Sequence, residues 1–379
     1  MKLLTVGPKD IFQFPTVKDF SDAFNLGPKD LVVSIAMIHD KFLKPYLNGA
    51  NVLLVDKYGN QEPTDVMIDE IIADAGKFDY DRIVAIGGGA VMDMSKVVAV
   101  ANGASIDDVI DHLPDFKRTV DLVLIPTTCG TGSEVTEIAA INRTRLGCKA
   151  GIASPEMFAD HAVLIPELLY GLPDHVFMTS SLDALVHSVE STLSPNSTPY
   201  TKLFGYEAMK TILNGYKAIV AAGAPGSDER RAKRNELMND FLIASDYAGI
   251  SFDTGGCAAV HALSYQLGGK YHVPHGESNY AMFTGVLRNY MEIKSDGEIA
   301  KLNAVIADVL GCDVADVYDE MENLINQLLP KKALHEYGVT REDLPEFTER
   351  VMTTQERLMR NNFVPLDADR VRKIFEELY

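Results

Sequence analysis

Between Asp30 and Pro173, short aliphatic runs alternate with stretches whose apolar positions recur three and four residues apart. The runs are Leu31-Val32-Val33-Ser34-Ile35, Asn51-Val52-Leu53-Leu54-Val55, Arg82-Ile83-Val84-Ala85-Ile86 and Leu122-Val123-Leu124-Ile125. Each has the length and the β-branched content of a strand covered on both faces. Between the second and third, Thr64 to Ile72 carries apolar residues at helical spacing behind a threonine cap. Strands alternating with helices predict a mostly parallel sheet, with ligand sites at the carboxyl ends of its strands.

After Gly171-Leu172-Pro173-Asp174 the β-branched runs stop. The remaining chain reads as successive amphipathic helices, punctuated by Ser194-Pro195-Asn196, Gly223-Ala224-Pro225-Gly226, Gly268-Gly269 and Leu329-Pro330. The expected organisation is an α/β domain over 1–175 and an all-helical domain over 176–379. At 379 residues and 46% apolar content, the chain has material for two cores.

Charge narrows the class of partner. With 35 Lys+Arg against 54 Asp+Glu, the formal net charge is −19 and no long basic run is present. Phosphate neutralisation needs clustered cations, so a nucleic-acid partner is not expected. The N-terminus ceases to be apolar too soon for a secretory core, and no stretch of about 18 uncharged apolar residues occurs. The expectation is a soluble protein without a membrane partner. Cys129, Cys148, Cys257 and Cys312 are far apart with no C-x-x-C pair, which argues against a disulfide framework and a thiolate zinc site and fits the cytoplasm.

Three stretches carry chemistry. Gly87-Gly88-Gly89-Ala90-Val91-Met92-Asp93 follows a predicted strand and opens a helix, so bare backbone and a helix N-terminus can meet a bulky anion. It departs from the G-x-G-x-x-G fingerprint, with Met92 in the place of the last glycine, and also reads as a tight β-to-α turn. Pro126-Thr127-Thr128-Cys129-Gly130-Thr131-Gly132-Ser133-Glu134-Val135-Thr136 crowds hydroxyls and glycines after the next strand. Two such loops on neighbouring strand ends suggest a dinucleotide. In the helical half, Asp183 and His187 stand at i and i+4 on one helix face, His261 sits on a later helix and His275 opens the next. One carboxylate and three imidazoles suit Fe(II), Zn(II) or Mn(II), although each residue taken singly also has a structural reading.

Taken together, these motifs in this order resemble the iron-containing (group III) alcohol dehydrogenase family along essentially the whole chain. The carriers are Gly87-Gly88-Gly89 with Asp93 and Lys96, Pro126-Thr127-Thr128 with Gly130 to Glu134, Ser154-Pro155, Gly171-Leu172-Pro173, Asp183-Ala184-Leu185 with His187, His261-Ala262-Leu263, Gly268-Gly269 and Pro274-His275-Gly276. The resemblance implies a dinucleotide-binding α/β domain, a helical domain and a divalent metal between them. Its metal ligands would be Asp183, His187, His261 and His275, with Fe(II) foremost and Zn(II) or Mn(II) as alternatives. Cofactor contacts would be Gly88, Gly89, Ala90, Asp93, Thr127, Thr128, Thr131 and Lys149. A homodimer or larger homo-oligomer is implied as well.

Within the family, the stretches Thr127 to Glu134 and Tyr271 to Asn279 resemble the members that act on ω-hydroxy acids. The expected reaction is therefore reversible hydride transfer between a nicotinamide cofactor and 4-hydroxybutanoate or succinate semialdehyde. The alternatives are another small alcohol, such as 1,3-propanediol or lactaldehyde, and a lyase like dehydroquinate synthase. Two positions depart from the family pattern. Tyr265 stands where a second histidine usually follows the third ligand, which leaves His272 and Tyr265 as the candidate catalytic groups. Val33-Ser34-Ile35 lacks the carboxylate that often repels a 2′-phosphate, so NAD is expected by analogy and NADP stays open.

Overall fold

In the computed structural model of the chain, the described residues are 3–5, 7–59, 62–145 and 148–379, and for Cys148, Lys149 and Ala150 the description extends to the backbone only. They form two compact units, one over residues 7–170 and one over 171–379 together with 3–5.

The first unit is built on eight strands: β1 (Asp10–Gln13), β2 (Asp30–Ser34), β3 (Asn51–Leu54), β4 (Arg82–Gly87), β5 (Asp121–Pro126), β6 (Ile138–Arg143), β7 (Cys148–Ala153) and β8 (His161–Leu164). Six of them make a parallel sheet in the order β1-β8-β5-β4-β2-β3. The four strands that the sequence pattern predicts are β2 to β5. All five residues of β2 are buried, as are five of six in both β4 and β5, because helices cover both faces of the sheet. Those helices are α1 (Val17–Phe24), the short α2 (Ala36–Ile38), α3 (Asp65–Ala75), α4 (Gly89–Ala101) and α5 (Ile106–Asp111). Thr64 caps α3 as expected, its hydroxyl accepting the Met67 N–H at 3.1 Å.

The remaining strands escape the pattern for physical reasons. The edge strand β1 is exposed at all four residues and has no buried face to advertise. β6 and β7 form a separate antiparallel pair outside the parallel sheet.

Strand order decides where a ligand can bind. From β2 the chain moves outward to β3, then crosses back to β4 on the other side and continues to β5. The reversal therefore lies between β2 and β4, and open α/β sheets bind ligands at the carboxyl ends of the strands flanking such a switch. Gly87 ends β4 directly opposite Pro126 at the end of β5, and the Thr127 N–H donates to the Gly87 carbonyl at 3.0 Å. The glycine turn and the threonine loop are thereby neighbours.

The second unit is helical: α6 (Asp174–Leu193), α7 (Pro199–Ala222), α8 (Asp228–Glu236), α9 (Met238–Gly255), α10 (Ala259–Tyr271), α11 (His275–Ile293), α12 (Glu298–Leu310), α13 (Val317–Asn326), α14 (Asp343–Thr354), α15 (Glu356–Met359) and α16 (Ala368–Leu378). Helix α6 is its axis. It packs against α7, α9 and α11 and is buried almost all round from Phe177 to Leu193, as expected of a helix in the middle of a domain rather than on its surface. No helix among the described residues is long and apolar enough to cross a membrane.

A buried charge braces the sheet. Asp160 precedes β8 and accepts Lys9 Nζ at 2.6 Å, the Leu122 N–H at 2.9 Å and the Arg118 guanidinium. Burial opposes its charge, yet Arg118, Lys9 and the Leu122 N–H hold it well below the usual carboxylate range. A carboxylate with a depressed pKa contributes stability above its unfolded value near pH 4, and that contribution is lost as the pH falls through the folded value. Asp160→Asn is therefore expected to destabilise the protein at pH 7 by about 3 kcal/mol, the scale of breaking a largely buried ion pair. In urea unfolding, the difference from wild type should shrink steadily below about pH 4.

Candidate metal centre and dinucleotide cradle

On α6, Asp183, His187 and Glu190 stand at i, i+4 and i+7, which places all three on one helix face. That face is buried: the three residues are 3%, 5% and 3% exposed. Polar groups this deep must be partnered, and the partners come from α10 and α11. Glu190 accepts the Ala258 N–H at 2.9 Å and the Val260 N–H at 2.6 Å, so one carboxylate caps the start of α10. It also takes Nδ1 of His261 at 2.6 Å. With its Nδ1 proton directed at Glu190, His261 presents the Nε2 lone pair to Asp183.

Helix α11 brings the fourth donor. His275 is its first residue, and the next, Gly276, lies against α6 so closely that a Cβ there would stand 1.7 Å from the Thr179 carbonyl oxygen. Only glycine permits that approach. Four residues on, the fully buried Asn279 donates Nδ2 to Asp183 at 2.8 Å and lies 3.2 Å from His261 Nε2 and 3.4 Å from His275 Nε2. Ser264 on α10 fixes that amide by donating to its oxygen at 2.6 Å.

The spacing fits a metal ion. Asp183 Oδ1 is 3.7 Å from His187 Nε2, 3.5 Å from His261 Nε2 and 3.4 Å from His275 Nε2. A tetrahedral ion with bonds of about 2.0–2.2 Å holds its donors about 3.3–3.6 Å apart. The His187 and His261 rings stack at 4.7 Å, and His187 also stacks on Phe252 at 4.3 Å, which fixes both rings. His275 is the most open of the four, with its side chain 29% exposed.

Electrostatics agree with this fit. Burial opposes a charge on Asp183, but the surrounding His187, His275 and His261 hold it well below the usual carboxylate range. Burial likewise opposes charge on His187, and Asp183 raises it. Without a cation, protons on the His187 and His261 imidazoles balance the Asp183 carboxylate, and a metal ion displaces them on binding. Cys257, which its sequence spacing set apart, lies beside His187 and His261. Burial pushes its thiol up, while His261 and His187 bring it down to about 7.

Of the two candidate catalytic groups, Tyr265 stands beside the centre, its ring 5.8 Å from that of His275 at 44°. His272 is exposed and ends α10 in a left-handed conformation at φ 56°. None of the hydrogen bonds among the metal donors passes through it.

In the α/β unit, Gly88 is the N-cap of α4 and Gly89 and Ala90 are its first residues, all partly exposed. As leading groups of the helix, the Gly89 and Ala90 N–H have no carbonyl partner within it, which makes this turn suitable for phosphate. A Cβ on Gly89 would meet Thr131 Cγ2 at 2.6 Å, and one on Gly88 would lie 3.7 Å from Thr128. The threonine loop is thus packed on the glycine turn.

Asp93 is engaged with the threonine loop. Its two oxygens accept the Ser133 hydroxyl at 2.6 Å and the Ala140 N–H at 2.9 Å, bracing the loop from beneath. Thr127 is buried at the end of β5. Lys149 pairs by its backbone with Asn142 on β6, and its side chain lies outside the described residues. Glu134 is buried with no hydrogen-bond partner for either carboxylate oxygen. Burial pushes it up to about 7 against the pull of Lys96.

Sequence reading missed Glu190, although its place seven residues after Asp183 is a helical period. It also missed Asp56, which follows β3 and accepts the Ala36 N–H with both oxygens, at 3.1 and 2.8 Å. That carboxylate reaches the carboxyl end of β2, where Ser34-Ile35 has none of its own.

Glu190 supplies the test of the centre. An amide at this position offers a donor where Val260, Ala258 and His261 all require acceptors. Glu190→Gln should therefore lower metal affinity by about 10- to 100-fold, measured by competition with a chelator, with the far-UV spectrum retained. His112→Ala, at an exposed ring set against Asp108, should leave that affinity unchanged.

Comparison with known proteins supplies the lineage. The profile described as iron-containing alcohol dehydrogenase matches residues 11–166, and that described as Fe-containing alcohol dehydrogenase family, C-terminal, matches residues 177–379. The chain is 41% identical to the 4-hydroxybutyrate dehydrogenase of Clostridium kluyveri over 379 residues, covering all of both chains. It is 32% identical to the sulfoacetaldehyde reductase of Bilophila wadsworthia over 331 residues, 83% of this chain and 81% of that one. Among solved structures, sulfoacetaldehyde reductase from Bifidobacterium kashiwanohense in complex with NAD+ superimposes with a TM-score of 0.83 at 23% identity, covering 100% of this chain and 99% of that one. A 1,3-propanediol oxidoreductase gives 0.82 at 23% identity over the whole of both chains. The parallel sheet and the helical unit thus have their explanation in descent: the chain belongs to the iron-containing alcohol dehydrogenase family and is a metal-dependent alcohol oxidoreductase.

Proposed function

We propose that this enzyme interconverts 4-hydroxybutanoate and succinate semialdehyde, with NAD as the hydride carrier and Fe(II) as the metal, held by Asp183, His187, His261 and His275. The donor set carries the metal-dependent part of the reading. The choice of substrate is supported by the full-length likeness to the C. kluyveri enzyme. A cation bound by these four residues supplies Lewis acidity at the alcohol or aldehyde oxygen, and the nicotinamide supplies the hydride chemistry.

The chain's own residues do the rest. Asp183 contributes the charge that partly offsets the cation, and Asn279 holds its Oδ1 in place. Glu190 keeps His261 in the tautomer whose lone pair faces the site. Tyr265, beside the most open ligand His275, orients the substrate, and His272 at the end of α10 exchanges its proton with water. In the other unit, the Gly89 and Ala90 N–H groups would hold the pyrophosphate of the cofactor, with Thr128 and Thr131 packed on the same turn. Arg143 and Arg145 pair with Asp107, and Arg145 also with Asp69. Those pairings favour Tyr265 and His272 over the arginines as partners for the substrate carboxylate.

Two measurements test this reading. In a panel of aldehydes reduced with NADH, succinate semialdehyde should give the highest kcat/KM, and 3-hydroxypropanal and lactaldehyde should fall below it by at least about tenfold, or about 1.4 kcal/mol. Equal rates with the uncharged aldehydes would transfer the assignment to a general short-chain alcohol. Asp56 places a negative charge at the end of β2, where a 2′-phosphate would meet it. Asp56→Asn should thus tighten NADPH binding by about tenfold, the effect of removing one nearby like charge, with little change for NADH. The readout is the dissociation constant by titration calorimetry.

A further inference from the structure

The donor cluster has a second side that the proposed reaction does not use. The Cys257 sulfur and one ring nitrogen from each of His187 and His261 lie within 4.8 Å of one another. Donor atoms of Asp183, His261 and His275 are grouped equally closely. The two triads share His261. Because His261 Nδ1 is committed to Glu190 at 2.6 Å, its Nε2 is the nitrogen left to ligate, so the two triads cannot each hold an ion at the same time.

Cys257 is held in place rather than left on a mobile connection. It lies between α9 and α10, where Asn361 Nδ2 donates to its carbonyl at 2.9 Å. The next N–H, that of Ala258, is fixed on Glu190 at 2.9 Å. The carboxylate that orients His261 therefore also sets the backbone from which the sulfur projects. The ligand sets differ in softness: two imidazoles with a carboxylate are borderline to hard, whereas two imidazoles with a thiolate favour thiophilic cations.

We infer that His187, Cys257 and His261 form an alternative position for a thiophilic divalent cation such as Zn(II), in competition with the position that uses Asp183 and His275. This rests on the reading of the cluster as a metal centre and adds to it a selectivity: the chain retains zinc through sulfur at a place displaced from its most open ligand. Binding forms a metal–sulfur bond and releases the thiol proton to solvent, with no change in oxidation state.

The test uses the full-length protein stripped of metal and loaded with one equivalent of Co(II), a spectroscopic stand-in for Zn(II). A near-ultraviolet thiolate-to-cobalt charge-transfer band is expected in wild type and in Cys312→Ser. It should vanish in Cys257→Ser and Cys257→Ala while one cobalt per chain stays bound. In competition against Mn(II), Zn(II) preference should fall in both Cys257 variants by about tenfold or more, the scale of losing one supporting group at a metal site. One bound cobalt with no charge-transfer band in wild type, and an unaltered zinc preference in the variants, would overturn the sulfur position and leave the centre intact. Failure of wild type to bind cobalt, zinc or manganese would overturn the metal centre as well. The far-UV spectrum and thermal midpoint of the two variants establish that each is folded before its result is counted.

Discussion

The Glu190 carboxylate is the constraint on which the helical unit's chemistry depends. It sits on a helix buried almost all round and accepts two backbone N–H groups and one imidazole from a single neighbouring helix start. A charge in that position is stable only because all of its partners are donors. The same contacts set where α10 begins, which tautomer His261 adopts and where the Cys257 backbone lies. One residue outside the ligand set thereby decides the geometry of two donors.

Close packing supplies the other half of that geometry. Gly276 lets α11 lie on the α6 backbone at a distance that excludes any side chain, and His275 is carried in beside Asp183 as a consequence. Asn279, one turn later and fixed by Ser264, then secures the carboxylate oxygen that all three imidazoles face. Four donors from three helices end with edges close to those of a tetrahedral ion. Such agreement is hard to maintain with polar groups on loops, and here every ligand is on a helix whose neighbours are fixed by burial.

In the α/β unit the deciding feature is strand order. The reversal between β2 and β4 opens the sheet's carboxyl edge where the glycine turn lies, and the parallel register of β4 with β5 brings the threonine loop against it. Asp93 contributes from below, tying α4 to that loop through Ser133 and Ala140. Asp56 shows how a charge that one strand lacks is restored by the next: it arrives from β3 and is anchored on the N–H that follows β2.

The sequence by itself determined the four central strands, the Thr64 cap, the change from α/β to helical pattern after Gly171-Leu172-Pro173-Asp174, and Asp183, His187, His261 and His275 as one candidate donor set. Each is written in local periodicity, in a helix start or in a motif, all of which are properties of neighbouring residues. Only the tertiary structure decided the surroundings of Glu190, Asn279, Asp56 and Cys257, and it showed Asp93 tied to Ser133 and Ala140. Those surroundings depend on contacts that join distant parts of the chain, as between Asp183 and Asn279, 96 positions apart. Such contacts form only when buried helices close on one another and each polar group is left to find the partner that desolvation demands.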